Sequence, residues 1–590
     1  MGCVSLLAVR RGRLALAVSL ALLAALGASS ARAALVTQDV WFTADDGVKL
    51  HATLGGDGSI VRRPLIVEDT PYGLTNGVNP FAGSAYNYVE LQWRGTGQSA
   101  GALTATGSRD QKDLAEFLGW ACDQPWSDAN VGLYGFSASA IVVYNSMHEH
   151  LPCVKAAALM SGTVDLYRDL LWIGGIQNSA PGLYVEGGIF GPWLADAPGR
   201  AQNQPPASNV DAVDGYASAP AQVQGHFTED AYWRDRTFKG DADRIPVLAD
   251  VGFYDVESRG AFLAYRATRR YGSHLLVLGA HDGWPVNTPD GPTGPFTEYS
   301  RWFDHYLRGV DNGIAAEPSV SAYLSNGSRG KLLDGQWTHL SGSRWPLGGT
   351  RWTRLYLSPT KSATAQSLND GTLSAAPVAS KAEQTYPFAP SEPTETDQHT
   401  VATVGGTGIG PLTLNNLAHT IPALANMQLS EPSSLTYTTA PLAGAIDAVG
   451  PASLDVYASS AAPFTDLVAI LADVSPDGSA EPVAQGQLRT AYPYIDRSRS
   501  LKDRRGDIVE PYTDFSGLTP ALPETTRRYH IEILPIGNHF AAGDRLRLYV
   551  VGTSMAMEGA PPGANTLSIG GATPSKLLFP TLGAPRFSAP

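Results

Sequence analysis

Apolar runs alternate with helical stretches along the first half of the chain, from about residue 36 to residue 310. The segment "VTQDVWFTADDGVKLHATL" predicts a hairpin that turns at Asp45-Asp46-Gly47. Strand patterns follow in "RPLIVEDTPYG", "YNYVELQWRGTGQS", "ANVGLYGF", "CVKAAALMSG", "IPVLADVGFYD" and "HLLVLGAHDG". Helical patterns lie between and after them, and the first opens at Ser108, a residue type that favours the N-cap position. This alternation predicts a mostly parallel sheet with helices on both faces.

Two stretches depart from this alternation. Residues 165–240 are rich in Trp, Gly, Pro and Ala and predict a mainly helical cap inserted into the α/β domain. From about residue 314, short alternating runs at regular spacing predict an all-β sandwich or jelly roll. The predicted organisation is a signal peptide (1–33), a first α/β part (34–164), the cap (165–240), a second α/β part (241–313) and the jelly-roll domain (314–590).

The N-terminus has the pattern of a secretory signal peptide. Arg10, Arg11 and Arg13 precede the apolar stretch "LALAVSLALLAALGAS", and Ala31-Arg32-Ala33 forms an A-x-A cleavage site. The stretch is short for a bilayer span, so the pattern predicts export to the periplasm or beyond, with no stable membrane span after cleavage near Ala33. An uncleaved signal anchor is the alternative.

Composition and charge narrow the class of protein. Hydrophobic residues make up 43% of the 590 residues and charged residues 16%, as in a packed globular chain. The net charge of -13 argues against a nucleic-acid partner, and no feature of the sequence demands a metal or organic cofactor. Cys122 and Cys153 remain after signal cleavage; an exported chain can pair them in a disulfide, and two separate buried thiols are the alternative.

The turn "LYGFSASA" carries the candidate nucleophile. A serine hydroxyl becomes a useful nucleophile when a sharp strand-to-helix turn exposes it, and the residues two before and two after it must be small. These neighbours are Gly135 and Ser139 if Ser137 is the nucleophile, but Ser137 and the branched Ile141 if it is Ser139. The turn therefore favours Ser137. An ordinary turn with a helix-capping serine is the alternative.

Two further residues complete a possible triad in the order serine, acid, histidine. Asp255 follows the strand "IPVLADVGFY", and His281 follows the strand "HLLVLGA" after one intervening helix. Both would lie at carboxyl ends of parallel strands, where such sheets bind ligands. Asp255 would orient the imidazole, and His281 would accept the serine proton. Asp250, in the middle of its strand, and Asp282, beside the histidine, are weaker candidates for the acid.

The chain resembles the cocaine-esterase and X-Pro dipeptidyl-peptidase family of serine hydrolases, the CocE/NonD type. The resemblance rests on segments in family order: "DGVKLHATL", "PYG", "RGTGQS", "QPWSDANVGLYGFS", "FYDVE", "WFDHYLRGVDNG", "PSSLTYTTAPLAGAIDAVGPASLDVYASS" and "FAAGDRLRLYV". It implies an α/β-hydrolase domain with a helical cap, followed by a jelly roll of the galactose-binding-like type. It also implies the triad Ser137, Asp255 and His281, with an oxyanion hole formed by the Tyr72 hydroxyl and the Ala138 backbone N–H.

Departures from the family pattern bear on the substrate. Ala138 stands where the family usually has tyrosine, and "GAH" replaces a longer histidine loop. Glu257 matches one member of the carboxylate cluster that holds a substrate ammonium, and Trp284 is a second candidate for substrate binding. We therefore expect an exported serine hydrolase acting on a small ester, an amide or a short peptide. An X-Pro dipeptidyl-peptidase and a catalytically silent ligand-binding protein are the alternatives.

Overall fold

The computed structural model describes residues 35–72, 81, 85–178, 193–194, 196–255, 257–279, 295–326, 337–388, 427–552, 560–584 and 587. The predicted signal peptide and the predicted site residues His281 and Trp284 lie outside these ranges.

The N-terminal half alternates strands and helices, as its pattern predicts. Its strands are β1 (Leu35–Thr43), β2 (Lys49–Asp57), β3 (Arg63–Thr70), β4 (Asn87–Gln92), β5 (Ser127–Phe136), β6 (Val154–Met160), β7 (Trp172–Ile173), β8 (Ile176–Gln177), β9 (Val247–Gly252), β10 (His274–Leu278), β11 (Val320–Ser325) and β12 (Trp337–Gly342). Its helices are α1 (Ser108–Cys122), α2 (Ala138–Ser146), α3 (Ala197–Asn203), α4 (Ala207–Gly225), α5 (Ala231–Asp235), α6 (Ser258–Thr268) and α7 (Pro295–Arg308).

Ten of these strands form the main sheet, in the order β1-β2-β4-β3-β5-β6-β9-β10-β11-β12. The pairs from β4 to β11 are parallel, and the outer pairs are antiparallel. Helices α1, α2 and α6 cover one face of the sheet, and α7 covers the other. Strands buried on both faces are mostly apolar, which explains the run 156–160 in β6 and the run in β9 that only Asp250 interrupts.

The predicted cap leaves and rejoins the α/β domain at one place. Asp165 forms a β-bridge with Thr237, and the N–H of Phe238 donates to the carbonyl of Val164 at 2.8 Å. Helices α3, α4 and α5 lie between these two ends. The cap rests on the turn after β4, where the guanidinium of the buried Arg200 donates to the Gly97 carbonyl.

The C-terminal half is built mainly of strands, in agreement with its short alternating runs. The strands are β13 (Thr350–Ser358), β14 (Asn369–Ser374), β15 (Ala382–Phe388), β16 (Leu435–Thr438), β17 (Ile446–Ser460), β18 (Asp466–Val474), β19 (Ala480–Arg489), β20 (Leu501–Lys502), β21 (Ile508–Glu510), β22 (Arg527–Phe540), β23 (Arg545–Val551), β24 (Gly563–Ile569) and β25 (Lys576–Leu582). One row of paired strands runs β19-β18-β23-β16-β14-β13-β25, and a second runs β22-β17-β24-β15. Strand β17 also pairs with β25, which joins the two rows.

The α/β sheet extends further along the chain than residue 313. Strand β11 pairs in parallel with β10, and β12 pairs with β11, so both continue the α/β sheet. Their alternating pattern identifies them as strands but does not say which sheet they join. Among the described residues, no helix combines the length and the apolar character needed to cross a membrane.

Candidate active site

Ser137 lies in a strained turn between β5 and α2. Its backbone angles are φ 53° and ψ -119°, a region that is costly for a residue with a Cβ. Its N–H donates to the Met160 carbonyl at 2.9 Å, and its own carbonyl accepts the N–H groups of Ala140 and Ile141 at 2.9 and 3.0 Å. Such a strand-to-helix turn is the setting in which α/β-hydrolases hold their nucleophile.

Close packing around this turn explains why its neighbours are small. A Cβ on Gly135 would stand 2.6 Å from the backbone N of Ala140, and a Cβ on Gly162 would stand 2.5 Å from the Ala140 Cβ. Ser139 is fully buried, whereas Ser137 is partly exposed. Of the two serines in the turn, only Ser137 can meet a substrate without rearrangement.

Tyr72 and Ala138 lie beside Ser137, as the family resemblance implies. The phenol oxygen of Tyr72 is 3.2 Å from the backbone N of Ala138, which donates to it. The phenol also contacts the Ser137 hydroxyl. Burial raises the pKa of Tyr72 to about 12, although its hydrogen bonds with Ser137 and Ala138 act in the opposite direction. The phenol therefore keeps its proton at neutral pH and can donate a hydrogen bond.

Asp255 is fully buried just beyond the end of β9. One carboxylate oxygen, Oδ1, accepts the backbone N–H of Glu257 at 2.9 Å, which fixes the orientation of the side chain. Glu257 is also buried and stands directly before the first residue of α6. Its negative charge contributes to the raised pKa of Tyr72, which places the carboxylate on the same side of the molecule as the Ser137 turn.

His281 and Trp284 lie outside the described residues, but the strand that leads toward them is described. Strand β10 pairs with β9 in the register Leu278 to Gly252, and the N–H of Tyr254 donates to the Gly279 carbonyl at 2.9 Å. The segments that follow β5, β9 and β10 therefore all leave the sheet at its carboxyl-terminal edge.

Two carboxyl groups lie on strands near the Ser137 turn: the half-buried Glu68, which the sequence analysis did not single out, and the buried Asp250, which it named as a weaker candidate for the acid. Glu68 on β3 accepts a hydrogen bond from the Tyr88 hydroxyl, and burial raises the pKa of Glu68 to about 7. The Ser139 hydroxyl also contacts Glu68 and opposes this rise. Nearer the other edge, Asp250 on β9 accepts the Tyr299 hydroxyl. A carboxylate inside an apolar strand is the sequence signal that could have revealed Glu68 as well as Asp250.

Cys122 and Cys153 are joined by a disulfide, with their Cα atoms 6.4 Å apart. The bridge ties the last residue of α1 to the residue before β6, at the amino-terminal edge of the parallel strands and away from Ser137. Across the residues that the structure describes, no group of three or more His, Cys, Asp or Glu side chains could hold a metal ion.

Comparisons with known proteins agree with this architecture. Residues 46–282 match the family model for the X-Pro dipeptidyl-peptidase (S15 family), and residues 312–582 match the model for the X-Pro dipeptidyl-peptidase C-terminal non-catalytic domain. Cocaine esterase from Rhodococcus sp. (strain MB1 Bresler) is 26% identical over 501 residues, which cover 78% of this chain and 83% of that protein.

Two solved structures share the fold over nearly their whole length. A CocE/NonD family hydrolase from Staphylococcus aureus superposes with a TM-score of 0.71 at 19% identity, covering 93% of this chain and 94% of that one. An α-amino acid ester hydrolase superposes with a TM-score of 0.69 at 18% identity, covering 94% of this chain and 98% of that one. The protein is a serine hydrolase that belongs to the cocaine-esterase and X-Pro dipeptidyl-peptidase family of α/β-hydrolases.

Proposed function

We propose that this protein is an exported hydrolase that cleaves ester or amide bonds through the triad Ser137, His281 and Asp255. The observation that carries the proposal is the strained turn at Ser137, with two hydrogen-bond donors beside its hydroxyl. These donors are the phenol of Tyr72 and the backbone N–H of Ala138. Backbone strain of this kind costs free energy and is found mainly at functional sites. Here the strained turn exposes a serine hydroxyl beside two hydrogen-bond donors, as a nucleophile requires.

The reaction then proceeds in two steps through a covalent intermediate. His281 takes the proton of the Ser137 hydroxyl as Oγ attacks the substrate carbonyl carbon, and Asp255 stabilises the imidazolium that forms. Tyr72 and Ala138 donate to the carbonyl oxygen as it becomes negative. His281 returns the proton to the leaving group, which departs and leaves an ester on Ser137. Water, deprotonated by His281, attacks this ester and releases the acid.

Labelling with a fluorophosphonate tests the nucleophile, because the reagent phosphonylates an activated serine. We expect one adduct on Ser137 in the folded protein and none in Ser137→Ala. Ser139→Ala is the matched control, since it removes the buried hydroxyl two residues away; this variant should still be labelled. An unlabelled wild-type protein would instead favour a catalytically silent binding protein, and labelling of Ser137→Ala would exclude this assignment of the nucleophile.

For the substrate, we favour a small ester over an X-Pro dipeptide. The related Rhodococcus protein is named a cocaine esterase. Of the carboxylate cluster that is expected to hold a substrate α-amino group, this chain has a match for one member, which is Glu257. Comparing kcat/KM for 4-nitrophenyl acetate and for an Ala-Pro 4-nitroanilide distinguishes the two. Faster turnover of the anilide would make the protein an X-Pro dipeptidyl-peptidase, with Glu257 and Trp284 as residues for the peptide amino end.

Export is proposed from the signal-peptide pattern of residues 1–33. The disulfide between Cys122 and Cys153 supports it, because such bridges persist in oxidising compartments. The intact mass of the mature protein checks this point: a chain beginning at Ala34 is expected, and a mature protein that retains the leader would contradict cleavage.

A further inference from the structure

Strand β22 of the C-terminal domain lies directly behind the segment that leads to Asp255. The backbone of Gly537 in β22 is in contact with the aromatic ring of Phe253, since a Cβ on Gly537 would stand 2.2 Å from two ring carbons. The next residue, Asn538, pairs in parallel with Ser325 of the α/β sheet. The backbone of the C-terminal domain therefore contacts an aromatic ring of the α/β domain two residues before the proposed catalytic acid.

Phe253 packs among other aromatic rings on the α/β side of this contact. It is buried, and its ring packs near those of Phe262 and Trp345, with centroid distances of 6.1 and 6.3 Å. Its N–H donates to the Leu278 carbonyl at 3.0 Å, at the end of the strand that leads toward His281. A displacement of the ring would therefore be transmitted to the backbone on which both proposed triad partners depend.

A pair of ionic contacts holds the chain on the other side of Asp255 in sequence. Arg259 in the first turn of α6 donates through Nε to Glu532 Oε1 of β22 at 2.7 Å, and through Nη1 to Asp169 Oδ1 at 2.9 Å. The Arg259 guanidinium is buried, so loss of one carboxylate would leave a poorly compensated charge. Glu532 thus fixes α6 four residues beyond Asp255, as Gly537 supports the chain two residues before it.

We propose that strand β22 is a positioning element of the active site, in which Gly537 holds Phe253, Glu532 holds Arg259, and the two contacts together orient Asp255. This inference rests on the proposed role of Asp255. It gives the C-terminal domain, whose family model is described as non-catalytic, a direct part in arranging the catalytic acid. Gly537 and Glu532 are positioning residues, since they act through Phe253 and Arg259.

The first test changes the contact between Gly537 and Phe253. In Gly537→Ala the new methyl group displaces the ring, and we expect kcat for 4-nitrophenyl acetate to fall about tenfold or more with KM within about twofold, because small misplacements of catalytic groups are costly. The acid limb of the pH profile of kcat/KM should move to lower pH, because a misplaced carboxylate stabilises the imidazolium less. Adding Phe253→Leu, which removes ring atoms, should restore part of the lost kcat.

The matched control is Gly371→Ala, whose Cβ would stand 2.5 Å from the Ser358 carbonyl oxygen and 2.7 Å from the Tyr437 ring. Gly371 lies on β14, which pairs with β13 and β16 of the same domain. This control variant should lower Tm by an amount similar to that of Gly537→Ala while leaving kcat and the pH profile unchanged. Equal kcat and equal pH profiles in the two variants would overturn the proposal, as would simple additivity of Gly537→Ala and Phe253→Leu.

A second variant tests the ionic contact without adding volume, in case Gly537→Ala does not fold. Glu532→Gln should lower kcat and shift the same limb of the pH profile, whereas Glu431→Gln, which breaks the buried contact with Arg547 within the domain, should not. Wild-type kcat in Glu532→Gln would overturn the proposal. If Ser137→Ala or Asp255→Asn remains fully active, the proposed function itself fails; if both are inactive but the β22 variants behave like their controls, only this inference fails.

Discussion

At the scale of single residues, the ionisation of Tyr72 decides what the site can offer a substrate. A phenolate could not donate to a developing oxyanion, and it would repel that charge. Because burial raises the pKa of Tyr72 to about 12, the phenol remains a donor over the whole pH range in which a histidine base works. In the proposed oxyanion hole, the backbone N–H of Ala138 is the second donor, and the Ala138 side chain is only a methyl group.

Replacing Tyr72 by phenylalanine removes one of these two donors. We expect Tyr72→Phe to lower kcat by roughly 10²- to 10³-fold, the usual cost of losing an oxyanion donor, with a small change in KM. Steady-state kinetics with 4-nitrophenyl acetate measures this effect.

Tyr216→Phe serves as the control, since it loses a hydroxyl that donates to the Gly95 carbonyl at 3.2 Å under the cap. It should change kcat by less than about threefold, because this hydroxyl contacts none of the residues proposed for the chemistry. Retention of more than half of the wild-type kcat in Tyr72→Phe would rule the phenol out as an oxyanion donor.

Sequence reasoning could favour Ser137 over Ser139 because the requirement for small neighbours is local and visible in eight residues. It could not reveal that Gly537 touches Phe253, because that contact joins residues far apart in the chain. A glycine within a strand indicates close packing of some kind, but the sequence does not name the partner.

At the scale of secondary-structure elements, strands β3, β4 and β5 place ionisable groups on one buried face. Glu68 is paired in register with Glu90 on β4 and with Tyr134 on β5. Burial raises the pKa of Glu68 to about 7 and that of Glu90 to about 8, and the charge of Glu68 adds to the rise at Glu90. The two carboxyl groups therefore resist ionisation together.

The raised pKa of Glu68 makes the folded state less stable as pH increases. Between its ordinary value of 4.5 and about 7, the folded protein holds a proton that the unfolded chain has released, so the free energy of unfolding falls across this range. We expect Glu68→Gln, which cannot ionise, to raise the free energy of unfolding at pH 8 by about 1 to 3 kcal/mol and to change it little at pH 5.

Urea midpoints at the two pH values measure this difference. Asp214→Asn, which neutralises an exposed carboxylate on α4, should leave the pH dependence as in the wild type. A Glu68→Gln protein whose midpoint falls between pH 5 and pH 8 as much as the wild type does would show that Glu68 is ionised without penalty.

Sequence patterns predicted the order of strands and helices, but they did not predict how the first turn of α1 is capped. Ser108 was expected to cap α1, yet it is the first residue of the helix, and its N–H donates to the Asp235 carboxylate at 2.8 Å. The cap for this helix comes from α5, more than a hundred residues away. Local preference identified the start of the helix within one residue, but only the folded chain supplies the acceptor.

At the scale of the whole molecule, the α/β domain, the cap and the C-terminal domain pack against one another. Arg200 of the cap donates a hydrogen bond to the turn after β4. Arg259 of α6 forms an ion pair with Glu532 of the C-terminal domain. Composition and pattern could predict the kinds of domain but not these two arginine contacts, because each joins residues that no sequence periodicity relates.

The disulfide between Cys122 and Cys153 stabilises this unit at its far side. It closes a loop with a sequence separation of 31 residues, and bridges of this size contribute about 2 to 4 kcal/mol in the chain-entropy account. We expect the double variant Cys122→Ser with Cys153→Ser to lower Tm by roughly 2 to 4 °C, because a chain of this length has a large unfolding entropy. Because the bridge lies at the opposite edge of the sheet from Ser137, kcat at 25 °C should not change.

Differential scanning calorimetry of the variant, and of the wild type with and without a reducing agent, measures this loss. Reduction should lower the wild-type Tm to that of the double variant. Equal Tm values for the oxidised wild type and the double variant would show that the bridge contributes nothing to stability.

The contact between Gly537 and Phe253 also bears on the order in which the chain folds. Gly537 follows Asp255 by roughly 280 residues, and contacts between such distant residues form late because closing the intervening loop costs entropy. During synthesis the α/β domain leaves the ribosome before β22 has been made. The contacts of β22 with Phe253 and Arg259, on either side of Asp255, are therefore absent at that stage. Assembly of the active site is then the last event in the maturation of the chain, although every residue proposed for the chemistry lies in its first half.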